Sequence, residues 1–239
     1  MKMKKPKFWD TTKNNNLKFL LIPFSLIFDL IVFIRKKFST PKKFSIKTIC
    51  IGNIYLGGTG KTPLSIELLK LIKSEDIINK YKPVIIKKNY KNQIDEINLL
   101  KKKVNSVIVE KNRVNALEKA EREGYNLAIL DDGLQDYSFY KNIKIVCFND
   151  KLIGNTLTLP AGPLRENITS VKDYDIVLIN TLDNKPKKDF EKILKSFNPN
   201  ISIFYSIYKP DENKLDLLRG KKINAFAGIG NPENFFQCC

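Results

Sequence analysis

Hydrophobic positions along the chain fall into three kinds of pattern. The first is an apolar stretch, LKFLLIPFSLIFDLIVFI at 17–34, set between polar, basic segments. The second is a set of short apolar runs at 46–51 (IKTICI, rich in β-branched residues), 83–87, 106–110, 126–130 and 143–148, each the length of a buried strand. The third is helical spacing between those runs. It is clearest at 64–73, where Leu64, Leu68, Leu69 and Ile72 share one face, and recurs at 112–123 with mixed charge, which predicts a solvated outer face. Alternating strands and helices predict an α/β fold, a parallel sheet with helices on both faces. After 148, the segment 149–159 holds Gly154-Asn155 between apolar pairs, a hairpin signal and a natural hinge. Runs at 175–180, 201–208 and 222–227 then predict strands of a second sheet. The expected division is 1–38 as an amino-terminal segment, 39–149 as a first domain and 150–239 as hinge plus second α/β domain.

The apolar stretch is about as long as a short transmembrane helix, yet it carries Lys18, Pro23 and Asp29. An ionised Asp near a bilayer centre costs roughly 2.5–3.5 kcal/mol. Arg35, Lys36, Lys37, Lys42 and Lys43 follow directly, and each basic residue close to an anionic lipid surface contributes about 1 kcal/mol. The pattern predicts an amphipathic helix lying on the cytoplasmic leaflet. A core helix of the globular part and a true span are the alternatives. No small-residue cleavage site follows, which argues against a cleaved signal peptide.

Composition narrows the chemistry. Among 239 residues, 42 basic side chains face 25 acidic ones, a net charge of +17, which favours anionic partners such as phosphates or lipid. Only five of the basic residues are Arg; bidentate recognition favours Arg over Lys, so compositional drift toward Lys is the plainer account of part of this charge. The chain has no histidine. That excludes Ser-His-Asp and Cys-His nucleophiles, His-ligated zinc and any imidazole base. Cys50, Cys147, Cys238 and Cys239 lack CxxC spacing; the first two read as buried thiols, and a reducing compartment follows.

Residues 52–62 read GNIYLGGTGKT, between the run at 46–51 and the helix at 64–73. Strand, glycine-rich loop, Lys-Thr and helix form a phosphate-binding layout. Glycines let backbone N–H groups close around phosphate oxygens, and the helix N-terminus adds its positive dipole end. Lys61 would reach the β- and γ-phosphates and the Thr62 hydroxyl would ligate Mg²⁺. Tyr55 stands where the G-x-x-x-x-G-K-[ST] pattern wants glycine. The run LAIL at 127–130 ends in Asp131-Asp132. Acids at the C-terminal tip of a parallel strand sit at the mouth of such a loop, where one partners Mg²⁺; a helix cap or turn is the alternative.

GNIYLGGTGKTP (52–63), DDGLQ (131–135), LPAGPLRE (159–166) and FAGIGNPENFF (226–236) stand in the order found in tetraacyldisaccharide 4'-kinases. The chain resembles that family from its apolar segment to its last residues. The resemblance implies transfer of the ATP γ-phosphate to the 4'-hydroxyl of tetraacyldisaccharide 1-phosphate, the lipid A disaccharide precursor. ATP and Mg²⁺ come with it: Tyr55, Leu56, Gly57, Gly58, Thr59, Gly60, Lys61 and Thr62 as the ATP loop, and Thr62, Asp131 and Asp132 about the metal. Asp95-Glu96, within IDEINLL, resemble the family's GDEPLLL segment. Its Asp is the proposed base for the sugar hydroxyl, which makes Asp95 and Lys61 the catalytic pair; an exposed acid at a helix start is the plainer reading of Asp95. Also implied are two α/β/α domains joined by a β-hairpin, a monomer, no nucleic-acid partner, and a seat on the cytoplasmic face of the inner membrane of a Gram-negative bacterium.

Three departures from the family pattern stand out. Lys88-Asn89-Tyr90 occupies the place of its Arg-Gly-Tyr, Asp136 replaces the His after DDGLQ, and the Asp-His-His segment is not reached, so the second domain is expected to be truncated. A partitioning-type P-loop ATPase switch binding an anionic partner is the alternative function, although it leaves LPAGPLRE and FAGIGNPENFF unexplained. Asn180-Thr181-Leu182-Asp183 is a faint trace of a guanine-reading motif without its Lys. Arg165 reads equally as an anion contact or a structural ion pair.

Overall fold

The computed structural model of the chain describes residues 5–10, 16–74, 80–90, 93–182, 185–207, 216, 219–222 and 224. The short apolar runs become strands β1 (Lys47–Gly52), β2 (Pro83–Lys88), β3 (Val107–Glu110), β4 (Leu127–Asp131) and β5 (Ile143–Phe148). Two further strands, β6 (Ile176–Asn180) and β7 (Ser202–Ser206), follow. All pair in parallel, in the order β3-β2-β4-β1-β5-β6-β7. The helices between them are α2 (Lys61–Ser74), α3 (Ile94–Lys103), α4 (Arg113–Arg122) and α5 (Lys188–Phe197).

Side chains alternate across a strand, so a sheet covered on both faces needs apolar residues at both parities. Cys50, Val84, Ile86, Ala128, Leu130, Val146 and Phe148 face one side with Ala116, Leu117 and Ala120 of α4 and Phe190 and Leu194 of α5. Ile51, Ile85, Ile129, Ile145 and Cys147 face the other with Ile66, Leu69 and Ile72 of α2 and Leu100 of α3. Cys50 and Cys147 are free thiols whose pKa burial pushes up to about 12, the inert state expected of core cysteines.

Two sequence expectations change here. The strands assigned to a second sheet, near 175–180 and 201–208, instead extend the first: Ile145 to Phe148 pair with Ile176 to Ile179, and Ile176 to Asn180 pair with Ser202 to Ser206. The apolar pattern marks a strand but carries no address; β5 offers an open parallel edge, and β6 takes it. The Gly154-Asn155 signal is a turn rather than a hairpin apex. The Asn155 side chain bonds the carbonyls of Phe8 and Ala161 and the Leu157 amide, knotting 155–161 back on itself. The strand expected at 222–227 and the motif at 226–236 lie outside the described residues.

Helix α1 (Asn16–Lys37) answers the question of the apolar stretch. By length and composition it could cross a membrane, and 6% of its most apolar window is buried. Phe19, Leu20, Phe24, Leu26, Ile27, Leu30, Ile31 and Phe33 are all exposed, which overturns the core-helix alternative. Its polar residues meet the protein instead. Ser25, buried, donates to the Thr158 carbonyl at 2.8 Å and accepts from the Ala161 amide at 3.0 Å. The half-buried Asp29 faces the same loop near Thr158, with its Oδ1 buried and without a hydrogen-bond partner, and burial raises its pKa. The charge that made a span costly thus lies on the seam between α1 and the loop at 158–161.

Candidate active site at the phosphate loop

The strands at the centre of the sheet bring the sequence-predicted residues to one edge. Leaving β1, the chain enters the loop 53–60 and then α2, whose first residues are Lys61 and Thr62. β4 lies beside β1 with Asp131 opposite Ile51. The sheet order reverses about β1, the place where open α/β sheets bind ligands.

Three asparagines hold the loop, one at the C-terminal tip of each of β1, β5 and β6. Asn53 donates to the Gly57 carbonyl at 3.1 Å, Asn149 to Gly58 at 2.9 Å and Asn180 to Thr59 at 3.3 Å. In a planar trans peptide the N–H points opposite to the C=O. Tying three successive carbonyls to the sheet therefore turns the N–H groups of Gly58, Thr59 and Gly60 away from it, as an anion cradle requires. Gly60 has φ of 82°, a left-handed conformation that is costly for any residue with a Cβ.

The segment at 159–166 is built against the same loop. Tyr55 bridges to Leu164, Leu56 N–H donates to the Pro163 carbonyl at 2.8 Å, and Arg165 N–H donates to Ile54. Gly162 has to be glycine because a Cβ there would lie 2.2 Å from both the Asn155 amide oxygen and the Leu157 carbonyl. Tyr55 is buried, with its hydroxyl donating to Asp10. The loop position that departs from the glycine pattern is thus a structural anchor.

Asp131 is fully buried, and its Oδ2 accepts from Thr62 Oγ1 at 2.8 Å and from Lys87 Nζ at 2.8 Å. Its Oδ1 is buried with no hydrogen-bond partner. A buried carboxylate oxygen without a donor is costly, and a hard divalent cation suits such an oxygen beside a threonine hydroxyl. Thr62 and Asp131 therefore fit a metal. Among the described residues no three acids or cysteines cluster as a metal cage, so phosphate oxygens would have to complete the shell, as is usual for Mg²⁺.

Asp132 has positive φ, 58°, and its carboxylate faces Lys61 Nζ at 3.7 Å and Arg165 at 3.2 Å. Burial raises its pKa, but the charges of Lys61, Arg165, Lys87 and Arg113 outweigh it and hold the carboxyl below the usual range. Arg113, itself buried, donates to the Asp132 carbonyl at 2.6 Å and pairs with Asp136 at 3.1 Å. Arg165 is thus an ion-pair partner inside the site, and Asp136 holds the arginine that braces the acid pair.

A profile of the LpxK family, tetraacyldisaccharide-1-P 4'-kinase, matches residues 17–238. The chain belongs to that family. The tetraacyldisaccharide 4'-kinase of Pelagibacter ubique (strain HTCC1062) is 45% identical over 241 residues, covering 99% of this chain and 73% of that protein. That of Rickettsia canadensis (strain McKiel) is 32% identical, covering 99% of this chain and 74% of its own length. A crystal structure of the "apo" form of LpxK from Aquifex aeolicus in complex with ATP superposes with a TM-score of 0.59 at 20% identity, over 92% of this chain and 90% of that one. It supports the fold.

Within this family member, the structure brings together Tyr55 to Thr62, Asp131 and Asp132. Asp95 is exposed on the first turn of α3, while its neighbour Glu96 reaches Lys87 Nζ at 2.5 Å. Sequence reading missed Lys87, Arg113 and the three asparagines. One signal was available for the asparagines: Asn at the C-terminal tip of each of three apolar runs. Asn180, the first residue of the faint guanine-type motif, has its amide on the Thr59 carbonyl and its carbonyl oxygen on Ser206; Asp183 lies outside the described residues.

Proposed function

We propose that the chain binds ATP in the loop 55–62 and transfers its γ-phosphoryl group to the 4'-hydroxyl of tetraacyldisaccharide 1-phosphate. Family membership supports this reading, and the observation that carries it is the Thr62–Asp131 bond, which joins the phosphate loop to the acid strand at the sheet's switch point. In the transfer a bond forms between the 4'-oxygen and the γ-phosphorus. The bond from that phosphorus to the β–γ bridging oxygen breaks, and ADP leaves. Asp95 is the proposed acceptor of the hydroxyl proton. Lys61 lies at the loop and stabilises the transferring charge, and the N–H groups of Gly58, Thr59 and Gly60 hold phosphate oxygens. Thr62 and Asp131, with Asp132 close by, would hold Mg²⁺, which when bound neutralises charge on the β- and γ-phosphates.

The exposed apolar side of α1 and the basic residues at its end, Arg35, Lys36 and Lys37, support a seat on an anionic lipid surface, where the acylated acceptor resides. We place that seat on the cytoplasmic face of the inner membrane of a Gram-negative bacterium. The acting species is proposed to be a monomer without a nucleic-acid partner. The functional division keeps 1–38 as the membrane-associated segment, 39–149 as the nucleotide-binding part and 150–239 as hinge and second part.

The test is mass spectrometry of the lipid after mixing the detergent-solubilised chain, MgATP and tetraacyldisaccharide 1-phosphate. A product one phosphate heavier is expected. MgATP binding without that product would overturn the kinase reading for this chain.

A further inference from the structure

Lys87 has no role in the chemistry so far, yet it is among the most buried charged groups in the molecule, with 1% of its side chain exposed. It stands in β2 directly opposite Asp131 of β4, so the strand register itself delivers an ammonium group to the acid at the phosphate loop. Nζ donates to Asp131 Oδ2 at 2.8 Å and to Glu96 Oε2 at 2.5 Å. An ammonium has three donors and no acceptor, and two of them here join elements that nothing in the backbone ladder connects.

The elements joined are the two sides of the proposed reaction. Asp131 bonds Thr62 and thereby the nucleotide loop. Glu96 lies on the first turn of α3, next to Asp95. That turn has one other anchor, the buried Ile97 that closes it; its N-cap residue, Gln93, makes no side-chain capping bond. Helix ends fray when their first N–H groups lack a cap.

We propose that Lys87 is a positioning residue that clamps α3 to the tip of β4, so that the helix start bearing Asp95 is held at a fixed place relative to the phosphate loop. The inference rests on the kinase reading for its consequence, and on geometry alone for the clamp. Placement is where such a residue exerts its effect, because a displacement of about 1 Å costs on the order of 100-fold in transfer rate.

The experiment compares the full detergent-solubilised chain with Lys87→Met, Lys87→Arg and Glu96→Gln. Fluorescent ATP-analogue binding, kcat for transfer to tetraacyldisaccharide 1-phosphate, and hydrogen–deuterium exchange of residues 94–103 are measured for each. For Lys87→Met we expect analogue affinity within about threefold of the parent and kcat lowered roughly 30- to 100-fold. In Lys87→Arg a guanidinium can span the same two carboxylates, and most of that loss is expected to be recovered. Glu96→Gln is expected to lower kcat about tenfold and to speed exchange in 94–103 while leaving 113–122 unchanged.

Lys87→Met leaves Asp131 buried and unpaired, and where it fails to fold Glu96→Gln decides, since it keeps the Lys87–Asp131 pair. Parent-like kcat and parent-like α3 exchange in Glu96→Gln would overturn the clamp. So would a fall in analogue affinity in Lys87→Met that matches its fall in kcat, because Lys87 would then act on nucleotide rather than on α3. A parent chain that makes no product would remove the kinase reading, and the α3 exchange rates would still judge the clamp.

Discussion

The two sides of the proposed active site are built in opposite ways. On the nucleotide side, three asparagine amides, a threonine hydroxyl and a fully buried carboxylate fix the loop to strands β1, β4, β5 and β6. On the acceptor side, the candidate base Asp95 is exposed on the first turn of a helix whose neighbouring Glu96 pairs with Lys87. One side is fixed by buried and part-buried bonds, the other by a pair whose Glu96 side chain is 46% exposed. The difference matches what each must do. A phosphate cradle works by preorganisation, since donors already in place need no rearrangement during the reaction. A site that admits a large acylated sugar needs an open flank.

Substitutions can break this contrast at several depths. Asp131→Asn should have the largest effect, because it takes from the buried Lys87 its fully buried carboxylate partner, leaving only the half-exposed Glu96, and removes the acid that holds Thr62. Breaking one partner of a buried pair costs about 3–5 kcal/mol, which urea denaturation would show as a lower midpoint, with ATP binding lost as well. Asp95→Asn should separate the sides most cleanly. Removing a general base costs roughly 10²–10⁴-fold in rate, whereas an exposed surface change stays within about 0.5 kcal/mol in stability. Transfer should collapse while the unfolding midpoint and ATP affinity hold, and parent-like transfer would remove Asp95 from its proposed role.

Asn149→Ala takes the partner from the Gly58 carbonyl, a loss of about 1 kcal/mol. It should weaken ATP binding several-fold by calorimetry without altering the KM for the disaccharide. The smallest effect concerns pH. The Asp132 carboxyl is depressed, so its contribution to stability is fully present above its unfolded value, near 3.9, and is lost as pH falls through the depressed value. In Asp132→Asn the acid limb of the stability curve should be flatter below about pH 4. An unchanged slope would mean that the Lys61 and Arg165 charges do not act on it.

The contrast also explains which parts could be read in advance. The loop, its Lys61-Thr62 and the acid pair are contiguous motifs, and contiguous motifs survive in a one-dimensional text. The asparagines at 53, 149 and 180 are far apart, and each looks like an ordinary polar residue closing a strand until the sheet places the three side by side. Lys87 was hidden for a different reason. A lysine ending an apolar run reads as solvent-exposed, because lysines are almost never buried unless paired. Its pair lies 44 residues away in sequence. The turn at Gly154-Asn155 was legible as a turn, but its partners at Phe8 and Ala161 were not.

By itself the sequence determined the alternation of strands and helices, the phosphate loop with its lysine and threonine, the acids that end β4, and an apolar amino-terminal helix. All of these follow from local spacing and residue chemistry within single contiguous stretches of the chain. Only the tertiary structure decided that β6 and β7 join the first sheet, that Asp29 and Ser25 turn α1's polar positions onto the protein, and that Lys87 stands between Asp131 and Glu96. Those outcomes depend on which edge is open, which buried charge needs a partner and which strands lie side by side. Such quantities exist only once distant segments share a surface.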